Sequence, residues 1–207
     1  MNLNQSYKVI NYEWIGKIPV EWKLLRVGNF FIERSDKVDD IEYPPLSVTK
    51  SGIVDQLQDV AKTNAGDNRK LVKKNDFVIN SRSDRKGSSG ISPRDGSVSL
   101  INIVLEPKNI YPRYIFYLLR SYYFKEEFFR NGKGIHWDLW TTRWDQLKNI
   151  YIPVPKEKEQ ILISQYLDKK TEKVDSLIEK IEKKVELIKE QKTALINQYV
   201  TKGLDLN

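Results

Sequence analysis

The octet Asn80-Ser81-Arg82-Ser83-Asp84-Arg85-Lys86-Gly87 directly follows an apolar run, Phe77-Val78-Ile79. It sets an amide, two hydroxyls and two forked guanidiniums at the exit of an expected strand. Such side chains hydrogen-bond phosphate oxygens and purine edges, so the segment is a candidate DNA contact, weighed against the plainer reading of a polar loop. A second run, Gly132-Lys133-Gly134-Ile135-His136-Trp137-Asp138-Leu139-Trp140, stands donors beside aromatics, and Lys133 and His136 are its candidate contacts. Trp137, Trp140 and Trp144 are spaced three and four apart. On a helix they share a face, which reads as core rather than as base-stacking platforms. Gly132-Lys133-Gly134 alone signals a turn, since no strand leads directly into it and no third glycine completes a phosphate-binding fingerprint.

Enzyme chemistry is harder to assemble. One histidine and no cysteine leave no thiol nucleophile, no zinc-cysteine site and no evident metal cluster, so no catalytic or metal-ligating residue is assigned. Glu182-Lys183-Lys184 lies on an extended helical segment with no core around it to build a nuclease site. Tyr43-Pro44-Pro45-Leu46 only echoes the Asn/Asp-Pro-Pro-aromatic motif of amino-group methyltransferases. It lacks the amide or acid before the prolines and the aromatic after them, and reads as an extended entry into a strand.

The charge supports a polyanionic partner. The net charge is +7, and Lys62 to Arg94 holds nine basic residues (Lys62, Arg69, Lys70, Lys73, Lys74, Arg82, Arg85, Lys86, Arg94) against three acidic ones (Asp67, Asp76, Asp84). A local positive field suits DNA, whose phosphates supply most sequence-independent affinity; the alternative is a solvated basic surface.

These residues need elements to hold them. Hydrophobic residues make up 40% and charged residues 30% of the 207, a globular composition sufficient for one domain and an appendage. Strands are expected near 43–48, 76–80, 97–105 and 149–152, and helices near 112–130 and 143–148, the second capped by Thr142. Residues 84–96 read as a loop. After Ile152-Pro153-Val154-Pro155 the aromatics nearly vanish, and from Lys156 to Lys202 there is no Gly or Pro. This predicts a folded domain over 1–155 and one long helix over 156–207, closed by Gly203. The fold class is therefore an α+β domain, a mixed, twisted sheet with helices, followed by a C-terminal coiled-coil α-helix. Leu167, Thr171, Val174, Ile178, Ile181, Val185, Ile188, Lys192, Leu195 and Tyr199 form a heptad seam with two polar interruptions. At about 68 Å for some 45 residues, the helix outruns its own domain and demands a partner helix. The polar N-terminus and the want of any run of ~20 apolar residues argue against secretion and membrane insertion, with the cytosol as default.

Several segments together resemble the specificity (S) subunit of type I restriction-modification systems. Trp14-Ile15-Gly16-Lys17-Ile18-Pro19-Val20-Glu21-Trp22 is similar to the W-x-G-x-x-P-x-x-W opening of its target recognition domain, and Asp76 to Arg82 resembles its D-x-hydrophobic-x-x-S-R strand. Ile150 to Pro155, Glu159-Gln160-Ile161, Tyr166-Leu167-Asp168, Lys170-Thr171, Val174-Asp175, Leu177-Ile178 and Val200 to Leu204 resemble its helical spacer. The resemblance implies a non-catalytic subunit that reads double-stranded DNA and recruits methylation (M) subunits and, through them, the restriction (R) subunit. S-adenosylmethionine is implied on the methylation subunit. The usual member has two recognition domains and two spacers, whereas one of each stands here, which implies a half-length form that homodimerises through antiparallel helices. The expected DNA contacts are Asn80, Ser81, Arg82, Ser83, Arg85, Lys86, Lys133 and His136. The expected dimer helix presents Leu167, Val174, Ile178, Ile181, Val185, Ile188 and Leu195. A basic coiled-coil adaptor for protein or RNA is the alternative function, and a nuclease with an unrecognised site a third.

Overall fold

A computed structural model of the chain describes residues 6–12, 14–56, 66, 68–134 and 140–203. Among the described residues thirteen short strands are present: β1 (Tyr7–Val9), β2 (Lys17–Pro19), β3 (Lys23–Arg26), β4 (Phe31–Glu33), β5 (Lys37–Val38), β6 (Leu46–Val48), β7 (Ile53–Asp55), β8 (Arg69–Val72), β9 (Phe77–Asn80), β10 (Ser89–Ile91), β11 (Gly96–Ser99), β12 (Asn102–Pro107) and β13 (Tyr151–Val154). The helices are α1 (Pro112–Arg120), α2 (Tyr122–Arg130), α3 (Trp144–Leu147) and α4 (Glu157–Lys202). The expected α+β domain with a long C-terminal helix is what the chain forms, with one refinement. Every strand ladder is antiparallel, and the parallel element among the described residues is an isolated bridge, Pro45 to Ser97.

The central sheet runs β10-β9-β12-β4. In β9, Phe77, Val78 and Ile79 are all buried, as are Ile103, Val104 and Leu105 opposite them in β12. Successive strand side chains point to opposite faces, so unbroken burial means that both faces are covered. Val78 and Val104 pack on one side with Leu46, Ile53, Val72 and Val98. Pro44 and Pro45 lead into β6, and Ser97 of β11 donates its amide to the Pro44 carbonyl at 3.0 Å, consistent with an extended strand entry.

Three expected elements differ in detail. The strand near 97–105 is two strands, because Leu100-Ile101 forms a turn that the Asn102 side-chain amide closes on the Ser99 carbonyl at 3.0 Å. The helix near 112–130 is two helices, because Ser121 leaves helical geometry and its Oγ accepts from the Phe124 amide at 3.2 Å, capping α2. Helix α3 is capped at Arg143 and not at Thr142; the Thr142 hydroxyl donates instead to the Phe128 carbonyl at 2.8 Å.

The chain divides into two units, residues 1–161 and 162–207. The first extends past the expected boundary at 155 because the opening turn of α4 is tied into it. Trp22 Nε1 donates to Glu159 at 2.9 Å, and Gln160 accepts from the Tyr111 amide and donates to the Pro155 carbonyl, each at 2.9 Å. The Tyr114 hydroxyl donates to the Pro153 carbonyl at 2.8 Å, and burial pushes its pKa well above the ordinary phenol value. In the second unit the seam residues Val174, Ile178, Ile181, Val185, Ile188, Leu195 and Tyr199 are 44–61% exposed, while the Thr171 hydroxyl bonds its own helix at the Leu167 carbonyl. Gly203, at φ +74°, donates to the Tyr199 carbonyl and ends the helix, as expected for a left-handed cap. No helix among the described residues is long and apolar enough to cross a membrane.

One ion pair anchors the start of the central strand. Asp76, 2% exposed, accepts from Arg34 Nε at 2.8 Å and Nη2 at 3.3 Å, and from the Lys73 amide at 2.8 Å. The Asp76 hydrogen bond raises the Arg34 pKa further above its ordinary value. Removing one partner of a buried pair costs about 3–5 kcal/mol. Arg34 keeps Glu106 at 3.2 Å, so Asp76→Ala is expected at the low end, about 3 kcal/mol. A urea titration reads this as a lower midpoint with unchanged slope.

Candidate nucleic-acid interface

Strand β9 delivers the candidate residues to the domain edge, and each of the first three has its own task. Asn80 accepts from the Arg82 amide at 3.0 Å, shaping the exit turn. Ser81 is 5% exposed and its hydroxyl donates to the Ile101 carbonyl. In this arrangement it pins the end of β9 to the turn before β12. Arg82 is the first side chain to emerge, 48% exposed. In the Asp76 to Arg82 segment, the aspartate and serine thus hold the strand at its two ends and the arginine projects.

The following residues form a 3-10 turn, Ser83–Arg85, and the loop expected over 84–96 also contains strand β10, which pairs with β9. Asp84 sits between two guanidiniums, 3.1 Å from Arg82 Nε and 3.7 Å from Arg85 Nε, and the Arg85 side chain is 65% exposed. Exposed pairs of this kind contribute little stability, so both arginines remain available to an incoming anion. Lys86 is more committed: its ammonium lies 2.7 Å from Glu126 and 4.5 Å from the centre of the Phe129 ring. Ser83 Oγ is buried with no hydrogen-bond partner among the described residues, beside Arg82, Phe128, Phe129 and Trp140.

The second candidate segment comes to the same place. Thr141 bridges Arg82 on one side and Lys133 on the other, and the Ser83 amide donates to the Trp140 carbonyl at 2.9 Å. Exposed Lys133 is thus brought beside the β9 exit. His136 and Trp137 lie outside the described residues. The shared helical face expected for the tryptophans is not formed: Trp140 precedes α3 in non-helical backbone, its ring 5.6 Å from that of Phe129, and Trp144 begins α3.

The charge of the 62–94 stretch is largely answered by acids outside it. Lys70 pairs with Glu33 at 3.3 Å, Lys73 with Asp95 at 2.9 Å, and Arg94 with Asp55. The Lys73 hydrogen bond draws the Asp95 carboxyl below its ordinary range. Arg69 is buried, donating to Ser97 Oγ at 2.8 Å, and burial lowers its guanidinium pKa. Among the described bases of the stretch, exposed Lys74 has no ion-pair partner, and Arg82 and Arg85 share a single acid, Asp84.

A family model described as "Type I restriction modification DNA specificity domain" matches residues 19–187. The chain belongs to this family. The matched residues run from Pro19 through the β9 exit and into α4. The type I restriction enzyme MjaVIII specificity subunit of Methanocaldococcus jannaschii is 27% identical over 97% of this chain and 47% of its own length. The chain spans about half the length of the curated relatives it matches. The HsdS subunit from Thermoanaerobacter tengcongensis superposes with a TM-score of 0.59 at 17% identity, covering 90% of this chain and 46% of that one. A chain solved in work on assembly and conformational transition of the type I R-M system reaches a TM-score of 0.65 at 15% identity, covering 90% and 47%. At such identities these superpositions speak for the fold of the specificity domain alone.

Sequence reasoning missed two features of the specificity domain. The tie between Trp22 and Glu159 joins residues far apart in the chain. A cluster of Lys50, Arg120 and Lys125 likewise draws on three separated segments, none charged enough to stand out.

Proposed function

We propose that this chain is a DNA-reading specificity subunit of a type I restriction-modification complex. The observation that carries the reading is the convergence of the β9 exit and the Lys133 segment on Thr141, with Arg82 and Arg85 projecting beside them. Arginine reads guanine edges bidentately in the major groove and otherwise grips phosphate, so this edge is suited to duplex DNA. Asn80, Arg82, Ser83, Arg85, Lys86, Lys133 and His136 are the contacts we assign, with Arg82 the base reader. Ser81 supports them from behind. Helix α4 pairs antiparallel with that of a second copy, so that two recognition units read two inverted half-sites. Methylation subunits, holding S-adenosylmethionine, dock on this frame and supply catalysis; the restriction subunit joins through them, in a cytoplasmic complex.

Selection of tight-binding duplexes from a randomised pool, followed by titration at several salt concentrations, tests the reading. Arg82→Ala is expected to lose about 1–3 kcal/mol on the selected sequence and little on unrelated duplexes. Arg85→Ala, as a phosphate contact, is expected to weaken all duplexes alike and to lower the salt slope by about one. A pool that yields no preferred sequence, with the chain instead retaining RNA or protein, favours the adaptor alternative.

A further inference from the structure

Beyond the β9 exit, an open cleft is lined by Lys50, Lys86, Gly87, Arg120, Lys125 and Glu126. Lys50 lies on the turn of the β6–β7 hairpin, Arg120 ends α1, and Lys125 sits in α2. Arg120 donates to the Lys50 carbonyl at 2.6 Å and the Ser51 carbonyl at 3.4 Å, fastening the hairpin turn to α1 without a carboxylate. Burial, and next the Arg113 guanidinium, disfavour its charge, a cost that an arriving anion relieves. Gly87 makes room for Lys125: at φ +83° it occupies a backbone region side chains rarely adopt, and a Cβ there would stand 3.1 Å from Lys125 Cδ. Glu126 is matched by Lys86 at 2.7 Å. Neither Lys50 nor Lys125 has an ion-pair partner among the described residues, so the cleft keeps a surplus of three positive charges. Tyr122, 67% exposed, stands at its edge with a phenol able to donate to a phosphate oxygen.

Lys86 also lines the cavity formed by Arg82, Ser83 and Phe129, so the cleft and the reading edge are continuous through this one side chain. We propose that Lys50, Arg120 and Lys125 form a phosphate clamp, which grips the DNA backbone beside the half-site that Arg82 reads. The clamp rests on the DNA-reading function. In it Arg120 is a positioning residue as well as a charge, because it holds the turn that carries Lys50. Phosphate contacts fix register without carrying sequence information, so the clamp sets affinity and orientation while the β9 exit sets preference.

The test is the salt dependence of duplex binding by the full chain, read by fluorescence anisotropy. The double variant Lys50→Ala/Lys125→Ala is expected to flatten the slope of log affinity against log salt by about two and to weaken every duplex by the same factor. The ranking of duplex sequences stays as in the wild type. Lys50→Arg/Lys125→Arg is expected to restore the slope, and the charge-matched control Lys17→Ala/Lys108→Ala to leave it nearly intact. An unchanged slope in the alanine double variant, with Arg82→Ala still losing preference, overturns the clamp and leaves the reading function standing. A slope lost equally in the control overturns it too, since the effect is then one of net charge. A wild-type chain that binds no duplex at any salt concentration overturns both.

Discussion

Aspartate at both Ile181 and Val185 is expected to leave the chain monomeric at concentrations where the wild type pairs. The two positions are 61% and 45% exposed on the isolated helix, and each falls on the seam that also carries Val174, Ile178 and Ile188. In the proposed antiparallel pair a partner helix over this seam buries them, and the variant then buries two carboxylates per copy, four in the pair. At about 2 kcal/mol or more for each unsatisfied polar group taken out of water, the four together cost about 8 kcal/mol. That equals the whole free energy of a micromolar association, so the pair is lost and not merely weakened. Helix α4 itself should survive, since aspartate lowers helix propensity by less than 1 kcal/mol at each site. Sedimentation equilibrium with circular dichroism separates the two effects. Lys183→Asp, whose side chain points away from both neighbours two residues distant, is expected to leave the pair intact. A dimer undiminished in the double variant removes α4 as its interface.

The long helix was legible because its signal is local and repeated. Forty-six residues without Gly or Pro, with apolar positions alternating four and three apart, leave no other regular structure available. The domain was harder to read for the opposite reason. Its strands are two to six residues long, too short for periodicity, and their partners are remote: β13 pairs with β3, and β12 with β4 and β9. Local apolar runs found β9 and part of β12 but passed over β5 and β8, whose pairing is decided by the sheet. The candidate interface shows the same division. Arg82 was marked by its place after an apolar strand, whereas the burial of Ser81 depends on a carbonyl in the turn before β12. The linear charge count missed that Glu33, Asp55, Asp95 and Glu126 answer four of the bases in its stretch. Lys50 and Lys125, which have no ion-pair partner among the described residues, lie outside it.

Inserting one heptad after Ile188 in every copy is expected to move the two half-sites apart without changing either of them. Seven residues preserve the alternation of the seam, so the helices still pair, and at 1.5 Å per residue they lengthen by roughly 10.5 Å. At about 3.4 Å per base pair this asks for about three additional pairs between the half-sites. The original target then fails completely, because one recognition unit misses its sequence whenever the other is seated. Lengthening also has an angular consequence. B-DNA turns once in about 10 to 10.5 base pairs, so three pairs rotate one half-site by roughly 100° about the axis. Binding to the corrected target is therefore expected to be weaker than the wild type on its own target, with the deficit set by the twist that the pair and the DNA must share. Mapping of methylated sites by the variant assembled with its methylation subunits reads both effects. Unchanged half-sites at an enlarged gap establish α4 as the spacer; an active complex that keeps the original gap shows that the distance is set elsewhere.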